Sequence, residues 1–146
     1  MSRTSRSPAR RKSLYVHRND WHRTMNKVEL KGIPILRITD VQVAKQFYGE
    51  FLGFKVDWEH YYAEDAPVYM QMSRDGLVLH LSENDRFARG SVVFVETTGI
   101  DALHDELSQK PGPWTPPGIS STPWQTKQME LDDPFGNLLR FNENNA

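Results

Sequence analysis

Cysteine is absent from the 146 residues, which excludes disulfides, thiolate metal sites and a cysteine nucleophile and removes any marker of redox compartment. Long apolar runs are missing too: no stretch approaches the roughly 20 residues that cross a bilayer, and the opening residues lack the apolar core of a secretory signal. The expectation is an unexported, cytoplasmic protein with no membrane partner. There is no Gly-x-Ser-x-Gly elbow, no glycine-rich phosphate loop, no Ser-x-x-Lys pair in the candidate core and no His-x-x-x-His pair on one helical face. Nucleophilic and phosphate chemistry therefore have no visible carrier, and no catalytic residue is assigned.

What is present fits one modest domain, with 38% hydrophobic and 25% charged residues. The net charge of -1 hides an asymmetry. Residues 1–24 carry seven basic residues (Arg3, Arg6, Arg10, Arg11, Lys12, Arg18, Arg23) against Asp20 alone, a formal +6, which leaves the rest at -7. A basic, serine-rich opening buries too little apolar surface to offset its ordering entropy, so residues 1–30 are expected to be a disordered extension and 31–146 the folded domain. The extension could contact nucleic acid non-specifically or resemble a targeting peptide. It could equally be an appendage from an upstream start, since Met25 would open a domain of ordinary shape. A net negative body attracts cations and repels nucleic acid, so no specific nucleic-acid partner is expected.

From Lys31 the pattern is strand, helix, three strands, and then the same again. Ile33, Ile35, Leu36 and Ile38 mark a short strand, and Thr39-Asp40 supplies a helix cap. Val41, Ala44, Phe47, Tyr48, Phe51 and Leu52 line one face of the helix, which Gly53 ends. Strands are expected over Phe54–His60, Val68–Ser73 and Leu77–Ser82, with Arg74-Asp75-Gly76 a hairpin turn. A valine-rich strand, Ser91–Glu96, precedes a second amphipathic helix marked by Ile100, Leu103, His104 and Leu107, which Asp101 can cap or lead. Five of the nine prolines fall in Lys110–Pro123, a loop with at most a short edge strand. A final hairpin, Thr126–Leu131 and Leu138–Phe141, turns at Asp133-Pro134-Phe135-Gly136. The result is an α+β domain: two paired βαβββ modules forming a curved mixed sheet around a cleft, helices outside.

Three segments in this order are similar to the glyoxalase, bleomycin-resistance and extradiol-dioxygenase (vicinal oxygen chelate) superfamily: Ile33-Pro34-Ile35-Leu36-Arg37-Ile38-Thr39-Asp40, Phe47-Tyr48 with Leu52-Gly53-Phe54, and Asp133-Pro134-Phe135-Gly136-Asn137. They span about residues 31–142. Leu77–Ser82 and Thr122-Pro123-Trp124 resemble the bleomycin-resistance branch. The resemblance implies a homodimer with grooves between subunits. In the enzymes of that superfamily, metal ligands sit on the first, fourth, fifth and eighth strands, which puts Ile33, His80, Ser91 and Arg140 at those positions. Only His80 is an ordinary ligand, arginine opposes a cation, and a one-residue slip merely substitutes Pro34, Val92 and Leu139 or Phe141. The expectation is no metal and no cofactor.

His17, His22 and His104 read as surface residues, whereas His80 points to the cleft as a ligand contact or a hydrogen-bonded core histidine. Aromatic residues could either pack in the core and across a dimer interface or line a groove for flat cationic groups. The candidate ligand-binding set is Trp58, His60, Tyr61, Tyr69, His80, Trp114, Trp124 and Arg140. The resemblance thus implies a metal-free binder that sequesters bleomycin-like or other flat cationic drugs. The alternatives are a glyoxalase-like lyase or dioxygenase using His80 with Glu96, Glu130 or Glu143, and a protein-interaction or DNA-associated module acting through the basic tail.

Overall fold

The computed structural model describes residues 27–145, so the expectations for the basic extension lie almost wholly outside the described residues. Residues 27–32 carry no regular structure, with an exposed Lys27–Glu29 ion pair at 3.6 Å. From Ile33 onward the two expected modules are both present. The first holds β1 (Ile35–Arg37), α1 (Val41–Ala44) continued by a π-helical segment (Lys45–Phe51), β2 (Lys55–Tyr61), β3 (Val68–Arg74) and β4 (Leu77–Ser82). The second holds β5 (Val92–Glu96), α2 (Ile100–Ser108), β6 (Ser120–Ser121), β7 (Thr126–Asp132) and β8 (Leu138–Asn144). Each forms a four-stranded mixed sheet with the same topology, β1-β4-β3-β2 and β5-β8-β7-β6. The first strand of each module pairs parallel with the last, and the other neighbours are antiparallel.

Local chemistry explains the boundaries. Asp40 caps α1 by accepting from the Gln42 and Val43 amides at 2.9 and 3.1 Å. The sequence pattern suggests an ordinary helix to Leu52, but the second half is wider: the Leu52 amide donates to the Phe47 carbonyl, five residues back, at 2.9 Å. Phe47, Tyr48 and Phe51 all face the core along this wider stretch. The β3–β4 turn has positive φ at both Asp75 (48°) and Gly76 (91°), the conformation whose twist matches a two-residue hairpin. In helix α2, Asp101 leads rather than caps. Gly99 occupies the N-cap position and Asp101 sits inside the first turn, too late to cap it. Glu143 of β8 supplies the acceptor instead, to the Gly99 and Ile100 amides at 3.2 and 2.9 Å.

One face of each sheet is buried with the helices in a single hydrophobic cluster that includes Leu36, Met70, Met72, Leu79 and Leu81 from the first module and Ile100, Met129, Leu139 and Phe141 from the second. A buried polar hub joins the modules inside it. Asp133 accepts from the Tyr48 hydroxyl (2.7 Å), the Asn137 side chain (2.8 Å) and the Phe135 and Asn137 amides (both 2.8 Å). Asn137 donates in turn to the Arg37 carbonyl at 3.0 Å and accepts from the Ser91 amide at 3.1 Å. Burial, and then the Asp133 charge, push the Tyr48 hydroxyl well above its ordinary pKa, so it stays a donor.

Candidate functional site

Side chains alternate across a strand, so burying one face of each sheet turns the other outward. On the first sheet the register sets Ile35, His80, Gln71 and Trp58 in one row across β1, β4, β3 and β2. The next row carries Arg37, Ser82, Tyr69 and His60. A bulge between Val56 and Trp58 leaves Asp57 as the extra residue of β2 and brings Trp58 onto this face.

Three of the expected ligand residues meet there. The Trp58 and Tyr69 rings lie nearly parallel, 9° apart with centroids 6.0 Å distant, and His80 stands edge-on to both at 5.3 and 5.1 Å. Phe87, from the loop after β4, adds a fourth ring 6.2 Å from Tyr69. Trp58 remains 42% exposed, so part of the indole is open to a ligand. The polar atoms are tied together: Tyr69 Oη lies 2.8 Å from His80 Nδ1, His80 Nε2 2.9 Å from Gln71 Oε1, and Gln71 Nε2 donates to Asp57 at 3.1 Å. Burial lowers the His80 pKa and raises that of Tyr69, which keeps both neutral near pH 7. Hydrogen bonds from Ser73 and then Gln71, with a smaller contribution from Lys55, hold Asp57 below the usual carboxylate range.

The second sheet turns out Val92 and Phe94, 61% and 55% exposed, beside Arg140. Arg140 is held by Glu130 of β7, both contacts at 2.6 Å.

The remaining expected site residues lie elsewhere. His60 shares the first face but packs edge-on against Tyr62 at 4.3 Å. Tyr61 alternates to the other side of β2 and donates to Glu59 at 3.2 Å. Trp114 packs against Phe47 and Phe51 at 5.2 and 6.1 Å, closing the core from the proline-rich loop rather than joining the trio. Trp124 sits exposed in the turn before β7. Sequence reasoning missed Gln71, Phe87 and Asp57 as members of this site. Only the bulge, invisible in alternation, explains the position of Asp57.

The strand register also revises the ligand positions. Ile35, not Ile33, lies opposite His80, and Phe94, not Ser91, lies opposite Arg140. Ser91 precedes β5 and has the parity of buried Val93. A catalytic divalent ion takes about three imidazole or carboxylate ligands. Here both His80 nitrogens are engaged and its neighbours are isoleucine and glutamine, while the second sheet offers phenylalanine and an ion-paired arginine. Among the described residues no three His, Asp or Glu side chains converge. The donor set does not fit such a metal. Glu130 and Glu143 are occupied by Arg140 and the α2 cap, on the other sheet from His80.

A separate cavity of about 320 Å³ opens between the β3–β4 hairpin and α2, lined by Leu52, Phe54, Leu77, Leu103 and the Arg74–Glu106 pair. It contains none of the aromatic trio. Among the described residues no helix is long and apolar enough to cross a membrane.

A family model described as glyoxalase superfamily protein matches residues 20–146. No curated protein sequence matches the chain. Among solved structures, the bleomycin-binding protein of Streptomyces verticillus in complex with copper(II)-bleomycin is similar at 23% identity, with a TM-score of 0.60 over 82% of this chain and 98% of that one. A bleomycin resistance determinant encoded on a transposon gives 20% identity and 0.63 over 81% and 100%. A glyoxalase family protein from Enterococcus faecalis gives 19% identity and 0.62 over 82% and 99%.

Proposed function

Given that the chain belongs to the glyoxalase superfamily, we propose that it is a metal-free binding protein that sequesters bleomycin-like or other flat cationic small molecules. The observation that carries this reading is the Trp58–Tyr69–His80 cluster: an open aromatic surface whose polar atoms satisfy one another and whose His80 stands at a strand position where a metal enzyme of this fold needs a ligand. Such a surface makes no bonds. It offers an exposed indole face for stacking and for attraction of positive charge, beside the carboxylate of Asp57. The formal -7 of residues 25–146 favours a cationic ligand at longer range.

The two outward sheet faces support a homodimer. Ile35 and Trp58 on one and Val92 and Phe94 on the other are exposed apolar residues that a second copy would cover. The groove is then closed between subunits, and exclusion of water strengthens the charge attraction.

The test is calorimetric titration of the purified protein with metal-free bleomycin, alongside metal analysis. The expected result is saturable binding without bound metal, weakened at least about tenfold by Trp58→Ala, the loss of one stacking partner. Near one metal per chain and no response to the drug would overturn the proposal and favour a lyase or dioxygenase.

A further inference from the structure

The hydrogen bonds running through the aromatic cluster have a direction, and it is set at the end farthest from Tyr69. Asp57 is an ionised carboxylate and only accepts. The Gln71 amide, 3.1 Å away, must therefore present its NH2 group to Asp57 and its carbonyl oxygen to His80. A carbonyl cannot donate, so His80 Nε2, 2.9 Å from it, must carry the ring proton. Nδ1 of the neutral ring is then a lone pair, and the Tyr69 hydroxyl at 2.8 Å must donate to it. The single hydroxyl proton is thereby committed to His80, and among the described residues no other group hydrogen-bonds to Tyr69 Oη.

From this chain we infer that Tyr69 Oη is fixed as a hydrogen-bond acceptor, and that the site selects flat cations that bring an N–H donor to it, such as protonated amines, amidines or amino-substituted heteroaromatics. A flat cation with every nitrogen alkylated stacks equally well on Trp58 but leaves that oxygen unpaired. The inference rests on the proposed binding function and names the ligand class within it. Trp58 supplies affinity for either kind of cation, whereas Tyr69 discriminates between them. Asp57, Gln71 and His80 are positioning residues that act through Tyr69.

Two measurements test it. In the first, 9-aminoacridinium and its fully N-methylated counterpart are titrated against the intact protein by fluorescence. The N–H-bearing cation should bind about tenfold more tightly, the worth of one good hydrogen bond to a charged donor. Tyr69→Phe should bring the ratio to about one. In the second, the His80 ring nitrogens are assigned by 15N NMR, with Nε2 expected protonated and Nδ1 bare. Asp57→Lys replaces the acceptor with a donor, so Gln71 should turn over, the ring proton should move to Nδ1, and the preference should vanish. Equal binding of both cations overturns the selection while leaving the binding function in place. Binding of neither cation overturns both. A proton on Nδ1 in the unaltered protein overturns the direction whatever binds.

Discussion

At the residue scale, Asp133 illustrates how a sequence motif can be recognised before its purpose is. Asp133-Pro134-Phe135-Gly136-Asn137 reads in sequence as a turn, and Phe47-Tyr48 as two positions on an apolar face. Nothing in either stretch says that a tyrosine 85 positions away donates to that aspartate, because the partner is fixed by packing of the two modules. Truncating Asp133 strands a buried hydroxyl, a side-chain amide and two backbone donors, so Asp133→Ala should destabilise by about 3 kcal/mol or more. Tyr48→Phe removes one of four donors to the carboxylate and should cost about 1–2 kcal/mol. Urea unfolding of the two variants checks the order. The site was legible to a similar depth. Alternation along Leu77–Ser82 placed His80 on the outward face, and Trp58 and Tyr69 were aromatic candidates. Their meeting depends on a bulge at Asp57, which no alternation rule encodes.

At the element scale, the strands and both helices were readable because hydrophobic period and turn chemistry agree: the apolar helix face ends at Gly53, with φ of 78°, and Asp75-Gly76 makes its hairpin. The π-helical widening and the cap on α2 were not readable, since the first follows from how three large side chains enter one core and the second from a glutamate 43 residues downstream. The β3–β4 hairpin is fastened to α2 by Arg74, which donates to Glu106 at 2.9 and 2.8 Å and to the Leu52 carbonyl at 2.8 Å. Its guanidinium lowers the Glu106 pKa, chiefly by hydrogen bonding. A depressed folded-state carboxyl pKa means that the unfolded chain takes up the proton first. Its contribution is therefore complete above the ordinary glutamate range, about 4.3, and fades as pH falls through the folded value. Acid unfolding should show this: Glu106→Gln should be less stable at neutral pH and should lose less on acidification below about pH 4.5.

At the scale of the whole molecule, the duplicated βαβββ order was visible in the sequence, but the division into two separate four-stranded sheets comes from pairing, which leaves each with a bare face. Phe94 lies on one of them, midway along the edge strand β5, paired with Arg140 and 55% exposed. If a second copy covers it, Phe94→Asp places a charge in a desolvated interface, and sedimentation should change from dimer to monomer without loss of circular dichroism. The hub around Asp133 and the shared core carry a different consequence. Between Ser82 and Val92 the chain has no helix or strand, and Asp85, Arg86 and residues 88–90 are exposed. Covalent continuity is thus weakest where the modules join, while their non-covalent hold is buried. Proteolytic nicking at Arg86 or Arg89 should leave the two pieces migrating together under native conditions and separating only in denaturant. Refolding of the nicked protein should then become second order, each half serving as the template on which the other completes itself.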